Sequence, residues 1–238
     1  MVETISRRPQ TVDYELEVHD LVDGSFSDRK DVAFLHSALL PRSPVVKLGY
    51  PFMTKYYYYH LVRDGLIGCH LARVNGKPAG FVSFTNRPHD FMAAGLRNHI
   101  ISLTPVVAHA LVTRPSRVAV VARALGMLKR RRDDLASGPI FDGEILSLAV
   151  LPQYRSAGFI RHTGQNIARR LFDIAVARTR QAGAHTLVTL AQARDQESLF
   201  FFHAVGCRFH REWIDGADCY EITYDISEES SIGRASVA

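Results

Sequence analysis

The chain has 238 residues, of which 47% are hydrophobic and 22% are charged, and its formal net charge is +5 at pH 7. This length can bury a substantial core, and the composition excludes the disordered and fibrous classes. The modest positive charge favours a polyanionic ligand, such as a cofactor that carries several phosphates. Because the basic residues are scattered rather than interleaved with aromatic residues, the sequence argues against a nucleic-acid partner.

Three further features limit the class of protein. The first residues lack a basic leader followed by an apolar run, so no secretory signal is expected. No window approaches the ~18 uninterrupted apolar residues that a membrane span needs. Cys69, Cys207 and Cys219 lie far apart and without metal-ligand spacing, which predicts neither a zinc site nor a disulfide framework. We therefore expect a reduced, cytoplasmic setting and no metal.

The first part of the chain predicts a strand, two helices and a hairpin. Residues 14–19 alternate like a strand, and residues 28–40 carry apolar side chains at helical spacing. A second helix is predicted from about residue 51 to residue 65, with the tyrosine run at 56–59 packing inside it. The turn dipeptide Asn75-Gly76 then joins two apolar runs, which predicts an antiparallel hairpin.

The second part predicts a helical insertion followed by alternating strands and helices. The insertion covers about residues 87–138, and a buried strand follows at residues 141–150. A loop opens at Pro152, and a long amphipathic helix then runs to Gly183. The remaining predicted elements are a strand at 186–191, a helix at 196–204 and strands at 207–213 and 220–226. We interpret residues 1–227 as a single domain and residues 228–238 as a disordered tail.

Two segments in this order resemble the GNAT superfamily of acyltransferases. Residues 144–158 are similar to the fourth strand and acyl-CoA loop of that family, and residues 195–207 to its short aromatic helix. The resemblance implies an α/β (α+β) fold with a mixed, mostly antiparallel twisted sheet flanked by helices, interrupted here by the insertion between the third and fourth strands. It also implies transfer of an acetyl group from acetyl-CoA, or of another acyl group from its CoA thioester, to an amine.

The resemblance also implies a set of cofactor-binding residues. A helix N-terminus offers backbone N–H groups and a partial positive charge, so it can hold a pyrophosphate. The strand edge at Leu148, Ala149 and Val150 would carry the pantetheine arm. The phosphate-binding segment is assigned to Arg155, Ser156, Ala157, Gly158, Phe159, Ile160, Arg161 and Gly164.

The phosphate-binding motif fits in two registers. The family pattern is Arg or Gln, two residues, Gly, one residue, then Gly or Ala. Counting from Arg155 gives Gly158 but Ile160 at the last position, and counting from Arg161 gives Gly164 and then Asn166. We prefer the first register because the preceding Val-x-Pro also fits, although the second lies at a more usual distance from the helix end.

Glu144 matches the family's glutamate base, and Phe202 departs from the family's pattern. Burial on an apolar strand should raise the pKa of Glu144 toward a useful range for a base. Phe202 occupies the position of the frequent thiolate-protonating tyrosine and has no proton to give. His203 is interpreted as a surface residue, and Phe200 and Phe201 as core residues.

Three functions remain open. The first is an N-acetyltransferase that acts on a primary amine of a small molecule by direct attack. The second transfers a longer acyl chain from CoA or an acyl carrier protein, with the insertion lining a tunnel or resting on a membrane surface. The third is a module that binds acyl-CoA without turnover. The run at residues 129–132 is interpreted as a solvated basic helix end, and the acceptor and a homodimer are left open.

Overall fold

A seven-stranded sheet organises the molecule. The structure is a computed structural model that describes residues 14–101, 142–214 and 216–227. The strands are β1 (Leu16–Asp20), β2 (Gly68–Val74), β3 (Lys77–Thr85), β4 (Gly143–Val150), β5 (Thr186–Gln192), β6 (Arg208–Ile214) and β7 (Ala217–Asp225). Their order across the sheet is β1-β2-β3-β4-β5-β7-β6. Every neighbouring pair is antiparallel except β4 and β5, which are parallel, so the predicted mixed sheet is confirmed.

Helices cover both faces of this sheet. They are α1 (Phe26–Leu39), α2 (Pro44–Leu48), α3 (Tyr50–Phe52), a π-helix (Met53–Leu61), α4 (91–101), α5 (Pro152–Arg155), α6 (Ala157–Thr163), α7 (Ile167–Gln181) and α8 (Gln196–Ala204). The first face of the sheet packs against α1 and the π-helix through residues such as Leu35, Tyr58 and Phe81. The second face packs against α7 and α8 through residues such as Val82 and Phe172. None of the described helices is long and apolar enough to cross a membrane.

The local sequence explains most of these elements. Helix α1 begins with a capping box in which Ser25 and Asp28 bond each other's backbone amides. The turn between β2 and β3 places Asn75 at φ 49° and Gly76 at φ 73°, the left-handed pair that a two-residue hairpin needs. Gly80 in β3 allows β4 to approach, since a Cβ there would lie 2.8 Å from the Ala149 carbonyl oxygen.

Two local predictions differ from the structure. The predicted second helix continues from α3 as a π-helix, which buries Tyr56, Tyr57 and Tyr58 together. The segment after Pro152, predicted as a loop, contains α5 and α6. The Ser156 side chain caps α6 by accepting a hydrogen bond from the Phe159 amide, and the rings of Tyr154 and Phe159 pack edge to face.

Several predictions fall on residues that the structure does not describe. The insertion is described only as far as α4, which is helical as predicted. The rest of the insertion, the basic run at 129–132 and the tail at 228–238 lie outside the described residues.

Candidate active site

The parallel strands β4 and β5 separate shortly after they begin. Only two pairs join them, Gly143 with Leu187 and Glu144 with Val188. The Thr189 hydroxyl donates to the Ile145 carbonyl at 3.0 Å, just beyond the second pair. In the rest of these two fully described strands no residues pair, so a gap opens toward their carboxyl ends. We call this gap the splay.

The residues predicted to hold the pantetheine arm line the splay. Leu148, Ala149 and Val150 pair with β3 on one side only. A bulge at Leu146 shifts the register of β4 against β3, because Ser83 faces Ser147 whereas the next residue, Phe84, faces Ile145. Polar backbone groups of a strand edge need partners, so this edge can bind an extended ligand.

Glu144 lies at the closed end of the splay. Its neighbour Ile145 packs into the core of the second face, and side chains alternate along a strand, so Glu144 points to the first face. Its residue is only 9% exposed, which argues against a solvated strand end. Across the sheet it pairs with Thr85, whose hydroxyl donates to the Leu66 carbonyl at 2.7 Å. The Glu144 side chain therefore lies on the first face, at the closed end of the splay.

The two candidate phosphate glycines have different local structures. Gly158 lies within α6, and a Cβ added to it would meet nothing closer than the Ser156 hydroxyl at 4.0 Å. Gly164 ends α6 in the left-handed conformation, with φ 69°. Asn166 then caps α7, its side chain accepting from the Arg169 amide at 3.0 Å. Among the helices described between β4 and β5, α7 is the long one, with 15 residues.

Each of the three helices that follow β4 carries an arginine. Arg155, at the end of α5, forms an ion pair of 2.5 Å with Glu197 in the first turn of α8. Arg161 is exposed in the last turn of α6, and Arg169 Nε donates to Asp173 at 2.7 Å within α7. Both phosphate registers are therefore close to cationic side chains.

Helix α8 carries the three phenylalanines at positions 200 to 202 and corrects one prediction. Phe202 is buried beside Phe172, with ring centroids 6.2 Å apart. Phe201 is partly buried in the same core, whereas Phe200 is 72% exposed, so its prediction as a core residue was wrong. Two consecutive residues on a helix point about 100° apart, and only one side of α8 faces the sheet. His203 is exposed, as predicted.

Comparisons with known proteins bear on the fold. No protein-family model and no curated protein matches the sequence. Two solved structures are similar over nearly their whole length: spermidine/spermine N-acetyltransferase SpeG from Vibrio cholerae, in mutant forms, and a GNAT-family acetyltransferase from Streptococcus pneumoniae. They are 11% and 14% identical, cover 92% and 89% of this chain and 98% and 99% of their own, and have TM-scores of 0.51 and 0.50. A GNAT-family protein from Desulfovibrio desulfuricans is 11% identical, covers 89% of this chain and 99% of its own, and has a TM-score of 0.50. The chain has the GNAT fold.

Within this GNAT fold, two polar features were not predicted from the sequence. His36 Nδ1 and the Tyr58 hydroxyl lie 2.5 Å apart with no solvent exposure, and burial lowers the pKa of His36 to about 4. Glu221 on β7 lies opposite Leu190 of β5, and burial, together with the charge of Glu212, raises the pKa of Glu221. In the sequence, the tyrosine run pointed to Tyr58 and the strand alternation to Glu221. Neither pattern identifies the residue that each of them contacts in the folded chain.

Two further observations concern possible ligand sites outside the splay. No three histidine, cysteine or acidic side chains within the described ranges converge to hold a metal ion. A cavity of about 430 Å³ lies between Arg87, Asp142 and Gly183. Asp142 precedes β4, so this cavity is at the opposite end of the strand from the splay.

Proposed function

We propose that the protein is an N-acetyltransferase that moves an acetyl group from acetyl-CoA to a primary amine of a small molecule. The observation that carries this proposal is the splay of β4 and β5 with Glu144 at its closed end, within a GNAT fold. The edge of β4 that pairs with no described strand, the start of α7 and the arginines on α5, α6 and α7 suit an extended, polyanionic ligand. The described residues therefore fit CoA.

We assign the cofactor's parts to two elements. The edge at Leu148–Val150 would hold the pantetheine arm, with the acyl end toward Glu144. The amides at the start of α7 would hold the pyrophosphate, since the first amides of a helix lack acceptors inside it. The length of α7 and the conformation of Gly164 favour the register from Arg161 to Gly164 over the one from Arg155 to Gly158. This reverses the preference drawn from the sequence.

Two proton transfers must then be placed on residues of this chain. Acetyl-CoA supplies an activated thioester, and the reaction forms an amide bond at the amine nitrogen and releases the CoA thiol. Glu144 would accept the proton that the ammonium form of the acceptor loses, directly or through a water. Phe202 cannot protonate the departing thiolate, so we assign that proton to water. A thiolate is a tolerable leaving group, and the step can proceed without a side-chain acid.

We also propose a cellular location and a class of acceptor. Cys69, Cys207 and Cys219 are buried free thiols, which supports a reduced, cytoplasmic location. The acceptor would meet Glu144 from the first face, which carries α1 and the π-helix. Small-molecule and peptide amines both remain within this reaction, and we propose the small molecule.

Each alternative is motivated by its own observation. Ile100 and Ile101 at the end of the described part of α4 are 57% and 85% exposed, which favours an apolar acyl chain from CoA or an acyl carrier protein. The buried Phe202 favours a module that binds acyl-CoA without turnover. These alternatives differ in acyl length and in turnover.

Thiol release separates the three. The purified protein is mixed with acetyl-, octanoyl- or palmitoyl-CoA and a panel of amines, and released CoA is followed with a thiol reagent. We expect amine-dependent release from acetyl-CoA. Release only from the longer thioesters would favour the second function, and tight CoA binding without any release would favour the third.

A further inference from the structure

The ion pair between Arg155 and Glu197 closes the open end of the splay. Arg155 ends α5, which directly follows β4, and Glu197 lies in the first turn of α8, which directly follows β5. Their side chains meet at 2.5 Å. The two strands, paired at Glu144 and Val188, and the two short segments that follow them therefore form a ring that surrounds the splay.

This ion pair can open at little cost. The Arg155 side chain is 43% exposed and that of Glu197 is 71% exposed. Exposed ion pairs contribute little stability because water solvates both partners. Glu197 also lies at a helix N-terminus, where a carboxylate is favoured without any arginine. When the pair opens, water solvates Arg155, and Glu197 remains at the N-terminus of α8.

A polyanionic ligand would compete for the same arginine. A guanidinium binds carboxylate and phosphate with the same planar donors. Glu197, in turn, repels any phosphate that approaches Arg155. A phosphate that binds Arg155 must therefore displace the Glu197 carboxylate.

We infer that the Arg155–Glu197 ion pair is a latch across the mouth of the splay. CoA opens it when one of its phosphates replaces Glu197 on the Arg155 side chain, while the amides at the start of α7 hold the pyrophosphate. This inference rests on the proposed function, because it takes CoA as the ligand of the splay. The latch favours a ligand that carries phosphates over a neutral pantetheine, since only the phosphates can compensate Arg155 for the loss of Glu197. Glu197 is then a positioning residue for the cofactor and not a catalytic one.

A double-mutant cycle tests the latch. The dissociation constants of CoA and of pantetheine are measured by calorimetry for the wild type, Glu197→Gln, Arg155→Gln and the double variant, at low and high salt. Asp90→Asn is the matched control, since Asp90 pairs with Arg87 at 2.5 Å beside the pocket at the opposite end of β4 from the splay. All of these side chains lie at the surface, and melting temperatures check that each variant folds.

The latch predicts a specific pattern. Glu197→Gln should tighten CoA binding by about two- to fivefold at low salt, the range of an exposed ion pair, and less at high salt. Arg155→Gln should weaken CoA binding, and in that background Glu197→Gln should give less than half of its original gain. Each single change should tighten pantetheine binding slightly, because it removes an ion pair that a neutral ligand has to open without compensation. Asp90→Asn should affect neither ligand.

Three results would overturn the latch. An equal gain from Glu197→Gln with and without Arg155 would mean that Glu197 acts by repulsion alone. Unchanged CoA affinity in Glu197→Gln would mean that the ion pair does not compete with the cofactor. If CoA binds neither the wild type nor any of the variants, the proposed function is rejected, and the latch with it.

Discussion

Glu144 of β4 lies directly opposite Val188 of β5, and these two residues are the last partners before the parallel strands separate. The backbone of Glu144 is therefore fixed by pairing on both sides, to Thr85 on β3 and to Val188 on β5. Beyond it the strands leave space between them. The proposed base thus starts from a fixed backbone position beside this space, and general-base catalysis needs such positioning.

Replacing Glu144 by glutamine should lower the rate of acyl transfer by about 100-fold or more while CoA affinity stays within a few-fold. The substitution removes the base and keeps the shape of the side chain. Steady-state kinetics and calorimetry measure the two quantities. Glu17→Gln, on the distant strand β1, is the matched control. An unchanged pH–rate profile in the Glu144 variant would eliminate it as the base.

The two glycine registers can be separated by substitution. Gly158→Trp should leave the protein folded, because the position is open, and should leave the melting-temperature rise with acetyl-CoA intact. Gly164→Asn should reduce that rise, since asparagine tolerates the left-handed conformation but places a side chain at the start of α7. The opposite pattern would restore the register from Arg155 to Gly158.

The sequence predicted those elements whose signals are local. Asn75-Gly76 identified the hairpin because only a few residue pairs tolerate its two left-handed conformations. The spacing of Ile167, Leu171 and Ala175 identified α7, since all three pack on the second face. The order of strands and helices around Glu144 was sufficient for the fold class.

Features that depend on tertiary contacts were not predicted. The π-helix depends on backbone hydrogen bonds that apolar spacing does not reveal. Helix α6 packs against a distant part of the chain through the edge-to-face contact of Phe159 with Tyr14, and the local sequence pattern does not reveal that contact. The Arg155–Glu197 pair joins two segments that are distant in sequence, and no motif links them.

Phe202→Tyr should change activity by no more than a few-fold. The ring is buried against Phe172, and the added hydroxyl should cost about 1–3 kcal/mol of stability if it finds no partner. Urea unfolding and steady-state kinetics measure both effects. A large gain in rate would show that a missing proton donor limits the natural protein, because general-acid help is worth roughly 100- to 10,000-fold where it operates.

The buried pair of His36 and Tyr58 should make stability depend on pH. The pKa of His36 is about 4 in the folded protein and 6.5 in its ordinary state, so the unfolded chain binds a proton first as the pH falls. Stability is therefore lost as the pH falls below about 6.5, and the loss levels off below about 4.

Urea unfolding near pH 7 and near pH 5 measures this loss. The wild type should lose about 2 kcal/mol more than His36→Gln over that interval, because glutamine does not titrate. Glutamine can still accept a hydrogen bond from the Tyr58 hydroxyl, which makes it the conservative replacement. The same pH dependence in both proteins would show that His36 is not the group responsible.

Hydrogen exchange with and without CoA tests most directly whether the splay holds the cofactor. We predict that CoA slows exchange of the backbone amides at residues 146–150, along the free edge of β4, and at residues 165–168, at the start of α7. Residues 16–20 on β1 should exchange at the same rate in both samples. Protection confined to other parts of the chain, or no protection at saturating CoA, would contradict the account.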